Sequence, residues 1–116
     1  METTDSILTS IKKLLGIDDS YGHFDADLII HINSVFATLH QLGVGPVEGF
    51  SIQSEDETWD DFIGENFNIF ASVKSYIYLK VRLLFDPPIS SAAIDAIKEQ
   101  IKEYEFRLFV AADPIV

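Results

Sequence analysis

The chain has no cysteine among its 116 residues, so neither a disulfide framework nor a thiolate metal site holds the fold or performs chemistry. Basic residues are scarce: eight lysines and arginines stand against nineteen aspartates and glutamates, a formal net charge of −11. Sequence-independent grip on nucleic acid depends on cations that release counterions from phosphates, and a chain of this balance has no basic stripe to do it. Long apolar runs are missing as well. Lys74, Lys80 and Arg82 interrupt the most hydrophobic stretch well short of a membrane span. The start, METTDSILTSIKKLLG, lacks the basic region and apolar run of a signal peptide and reads as a soluble cytosolic beginning. There is no glycine-rich phosphate loop, no nucleophile elbow and no metal-ligand spacing, which argues against an enzyme and for the absence of a cofactor.

What is present is a hydrophobic fraction of 47%, enough for a real core in one domain spanning residues 1–116. The segment Ile69–Phe85, IFASVKSYIYLKVRLLF, is apolar around most of a helical circumference, which places it at the centre of a bundle. Ile69, Val73, Tyr76, Ile77, Leu83 and Leu84 form its core face, Phe70 and Val81 widen it, and Ser72, Ser75 and Arg82 mark a polar wedge. Asp86-Pro87-Pro88 ends it sharply. Lys80 falls within the apolar arc. Either its methylenes cover the core while the ammonium reaches water or an acid, or this face meets another subunit.

Thr4 or Asp5 can cap a first short helix with Ile7, Leu8, Ile11, Leu14 and Leu15 at helical spacing, closed by Gly16, with Lys12 and Lys13 favoured by its C-terminal dipole. A second helix runs from Asp25 to about Leu42 on the stripe Leu28, Ile32, Val35, Leu39 and Leu42, and Gly43 stops it. His31 and His40 lie roughly 180° apart on that helix and cannot share a metal. The segment 43–58 is glycine-rich and reads as a loop or short hairpin arm. Its Phe50 and Ile52 either fold back on the core or add to a neighbouring subunit. From Glu55 to Glu65 there are six acids and no base, with Trp59, Phe62 and Ile63 among them. Thr58 and Asp61 resemble a capping box for a short helix. Adjacent Asp60 and Asp61 point about 100° apart, so a solvated acidic face accounts for them better than acid–base work or Mg²⁺ binding, and Trp59, Phe62 and Ile63 then seal the bundle.

A last helix, capped by Ser90 or Ser91, carries the stripe Ile94, Ile97, Ile101, Tyr104 and Leu108 and outer pairs Asp95–Lys98, Glu99–Lys102 and Glu103–Arg107. Phe106 and Val110 lie off that stripe and Phe109 at its edge. They are a contact surface, or the last turns curl over a neighbouring helix. The expected fold is thus all-α, a small bundle of four to five helices with a glycine-rich loop or hairpin arm between the second and third.

Several stretches together carry a family resemblance: the short helix ending in LLGI, then DADLIIHINSVFATLHQLGVGP, the acidic W-DFIG segment, VKSYIYLKVRLLFDPP, and a serine-capped helix closing in EYEFRL. The chain resembles the head–tail connector (adaptor) proteins of long-tailed phages that infect Gram-positive bacteria. That resemblance implies a non-enzymatic ring subunit, a homo-oligomer at the virion head–tail junction. Such a subunit docks under the portal protein, extends the DNA channel without specific nucleic-acid or membrane binding, and meets a stopper or tail completion protein. It also implies that the Val44–Ile52 arm, with Val47, Phe50 and Ile52, and the Trp59 segment touch neighbouring subunits, and that the end from Phe106 through Phe109 and Val110 to Val116 engages the portal. A reading from another class is a small acidic regulatory protein that mimics DNA, for which the charge fits. The pairing of Lys98, Lys102 and Arg107 with acids argues against it, since a mimic needs an unbroken acidic face.

Overall fold

The computed structural model describes residues 2–112. Among them are five α-helices and no strand: α1 (Ile7–Leu14), α2 (Asp25–Gln41), α3 (Trp59–Ile63), α4 (Phe70–Phe85) and α5 (Ser91–Ala112), with a 3₁₀ turn at Phe67–Ile69 leading into α4. The architecture is an all-α bundle around α4, which packs chiefly on α2 and α5 and also on α1. Burial explains that position. Val73, Tyr76, Ile77, Leu79 and Val81 of α4 are all inside, on directions that span more than half the helix circumference. Leu28, Ile32, Val35, Phe36 and Leu39 of α2 meet them in one core, which Ile101 and Leu108 of α5 close from another side.

The helix ends follow local chemistry. Ser6, rather than Thr4 or Asp5, caps α1, its Oγ accepting from the Thr9 amide at 3.2 Å. The α1 and α2 helices stop in the same way, at glycines in the left-handed region. Gly16 (φ 80°) and Gly43 (φ 84°) each donate to the second-last carbonyl of the helix, Lys13 and His40, and Ile17 and Val44 reach one residue further back, to Lys12 and Leu39. The α3 capping box is reciprocal: the Asp61 amide donates to Thr58 Oγ1 at 3.3 Å and the Thr58 amide donates to Asp61 Oδ2 at 2.9 Å. Ser90 caps α5 through the Ala93 amide at 3.3 Å.

Residues 43–57 form a loop and not a hairpin arm; extended pairing in this region is limited to one isolated antiparallel bridge between Ser6 and Thr58. The reason is a side chain that stands where a strand would. Asn33 of α2 donates through Nδ2 to the Ile52 carbonyl at 2.9 Å and accepts from the Ile52 amide at 2.7 Å, so both backbone groups of Ile52 are satisfied without a partner strand. Within the loop, Gly45 has φ 96°, and a Cβ there would lie 2.4 Å from Phe62 Cε1; no other residue type fits.

Two apolar residues expected in the core lie outside it. Leu84 is 56% exposed and Leu14 is 38% exposed, each in the last turn of its helix, where a core direction no longer meets a partner. Leu79, which the wheel did not place on the core face, is buried instead.

Candidate functional site

Two charged clusters lie at the core boundary, and both are structural in form. Lys12 is almost fully buried. Its Nζ sits 2.9 Å from Asp25 Oδ1 at the start of α2 and donates to the Asp19 carbonyl at 3.1 Å, so the pair closes the α1–α2 connection around one cation. The sequence reading assigned Lys12 only to the α1 dipole. The signal for burial was its position beside Leu8 and Leu15 on the apolar side of α1. The second cluster joins α4 to α5: Tyr76 donates to Glu105 Oε2 at 2.7 Å, and Lys80 Nζ lies 3.8 Å from the same oxygen. Burial, with the Glu105 carboxylate next to it, pushes the Tyr76 hydroxyl far above its ordinary pKa, so it stays a neutral donor. Lys80 thus covers the core with its stem and reaches an acidic neighbour.

No group of three or more histidines and carboxylates among the described residues could hold a metal ion. His23 packs edge-on against Phe24, and His40 shares a 3.0 Å hydrogen bond with the Val47 carbonyl. Asp60 and Asp61 lie in the first turn of α3, where Asp61 serves the cap. No helix of the described residues is long and apolar enough to cross a membrane.

The residues expected at interfaces separate into two sets. Ile52 and Trp59 are fully buried inside the chain, so both side chains belong to the core and neither is presented to a neighbouring subunit as the resemblance implied. Ile52 is held by Asn33. Trp59 donates from Nε1 to Ser10 Oγ at 3.0 Å, packs against Phe70 at 5.6 Å between ring centroids, and is fixed by its own amide donating to the Asp5 carbonyl. Phe50 is half-buried between Phe36 and Phe62, with centroid separations of 5.0 and 5.3 Å, so it too belongs mainly to the core. Val47 differs. At 93% exposed it stands at the tip of the glycine-rich loop.

The second set is a patch. Phe106, Phe109 and Val110 are 68%, 52% and 45% exposed on the last turns of α5, which do not curl them over another helix. The tail 113–116, expected to need cover, lies outside the described residues. Close to this patch, on the other side of α5, is a cleft of about 460 Å³. Val44, Phe62, Ile63, Ile69, Leu108 and Ala112 give it apolar walls, and Asp61 stands in its lining. The end of the bundle where α2, α3 and α5 converge therefore combines exposed aromatic surface, a loop tip and a recess. Among the described residues Asp61 is the one titratable group lining that recess, and the remaining walls suit apolar side chains.

No curated protein and no solved structure matches the chain. The family model described as phage connector protein matches residues 7–114, nearly the whole length and every helix above. With a match of that extent, the chain belongs to the phage connector protein family, structural components of the virion's head-to-tail connection.

Proposed function

We propose that the chain is one subunit of a connector ring that docks under the portal at the capsid vertex, continues the DNA channel and receives a stopper or tail completion protein on its far side. The observation that carries this reading, beyond family membership, is the patch of Phe106, Phe109 and Val110, three exposed apolar residues grouped on the last turns of one helix. Apolar surface of this kind, grouped at one end of a helix, is what a subunit awaiting a protein partner retains. The ion pairs Lys102–Glu99 and Arg107–Glu103 interrupt any acidic face on α5 and disfavour a DNA mimic.

Replacing Phe106 by Ser tests the assignment. The side chain already faces solvent, so the melting temperature should stay within a few degrees of the parent's. Incorporation into particles should fall. A large drop in melting temperature, with incorporation lost only as a consequence, would place Phe106 in the core and remove the patch from the argument.

The acidic surplus sets a second expectation. A ring of such subunits repels the phosphates of passing DNA, which prevents sticking. Duplex DNA should show no retardation at low micromolar protein and physiological salt. Retardation under those conditions would contradict a passive channel.

A further inference from the structure

Building on the ring reading, we infer that the α5 patch of one subunit seats in the Val44–Phe62–Leu108 cleft of the next copy, so that one helix end supplies both halves of the contact between neighbours. The placement of the two features is the first ground. Leu108 lines the cleft, and at helical spacing Phe106 and Val110 point about 160° and 200° away from it. Phe106 and Val110 therefore face the opposite side of α5 from the recess, and Phe109, about 100° from Leu108, lies between the two. A surface paired with a different surface on the next copy gives a head-to-tail contact, and such contacts close into rings when the rotation permits.

Fit and charge are the second ground. The walls are apolar and the protrusion is aromatic, the combination in which an anchor side chain desolvates a pocket. The cleft side carries acids and no base: Asp61 lines it, and Glu65 stands in sequence between the lining residues Gly64 and Asn66. Two such surfaces would repel one another. The protrusion lies instead on a segment, residues 98–112, whose three bases, Lys98, Lys102 and Arg107, balance three acids. For a chain of net charge −11, docking its charge-balanced end against its acidic cleft side is the self-contact with the least repulsion.

The lack of native cysteine makes the contact directly testable. Two single-cysteine variants, Phe109→Cys and Asn66→Cys, are supplied together to assembling particles and treated with a short bismaleimide; each is also supplied alone. Asn66 lines the cleft and is exposed. A crosslinked dimer in particles that carry both variants, and none with either alone, is the expected result. Particles that contain the chain but give no mixed dimer would overturn the protrusion-in-cleft contact and leave the connector reading standing. Particles that exclude the unsubstituted chain would overturn both. Val110→Cys with Pro46→Cys provides a second pair, read in the same way, if Phe109→Cys reduces incorporation. A mixed dimer that also forms when Ile30→Cys, exposed on α2, replaces Phe109→Cys would mark random collision and equally refute the contact.

Discussion

Asp25→Ala should destabilise the chain by about 3 kcal/mol, the low end of the range for breaking a buried ion pair, and lower the melting temperature by about 10 °C. The cost does not come from the lost attraction alone. The Lys12 side chain is 3% exposed, and without Asp25 its ammonium is left inside with the Asp19 carbonyl as its one remaining hydrogen-bond partner. Asp25 itself is 35% exposed, which keeps the effect from the top of the range. The same asymmetry predicts a milder outcome from the other side. Lys12→Met keeps the packing of the stem and leaves behind a side chain that is 35% exposed and can turn its buried Oδ1 to water, so its melting temperature should fall much less. Equal losses for the two variants would mean that the pair is not held as described, and thermal melts of both decide it.

Trp59→Ala should cost about 3–5 kcal/mol, the range for truncating a large buried aromatic residue. The indole is fully buried and touches two parts of the chain distant in sequence, Ser10 on α1 and Phe70 at the start of α4. Its removal opens a cavity where α1, α3 and α4 meet, and in a small domain a loss of this size is a large share of the total stability. Trp59→Phe separates packing from polarity. It preserves most of the volume but leaves Ser10 Oγ without its indole donor, a loss of about 1 kcal/mol. Denaturant titration followed by circular dichroism measures both. A Trp59→Ala variant as stable as the parent would contradict burial and return Trp59 to the surface where an interface residue belongs.

The sequence made the long helices legible because they carry apolar residues at helical spacing, and three of the helices end on a recognisable stop: Gly16, Gly43 and Asp86-Pro87-Pro88. The Thr58–Asp61 box was also readable, since capping chemistry is local. Other features depend on residues far apart in the chain. Leu84 points toward the core direction of α4, yet periodicity gives a direction and not the presence of a partner there. The segment around Ile52 has the alternation of a strand arm, and only Asn33, nineteen positions earlier, decides that it is a pinned loop. Lys12 read only as a cation suited to the C-terminal dipole of α1, because its partner Asp25 lies thirteen positions later, beyond a turn. For the candidate site, Phe106, Phe109 and Val110 were identifiable by falling away from the stripe of α5. The cleft beside them was not, because four separate segments build its walls.

The central claim is that this chain joins heads to tails as a structural subunit, and the most direct test is electron microscopy of particles made by a phage that lacks it. The account predicts heads and tails that accumulate separately, with joined particles restored when the chain is supplied in trans. Joined particles at the usual frequency in its absence would contradict it.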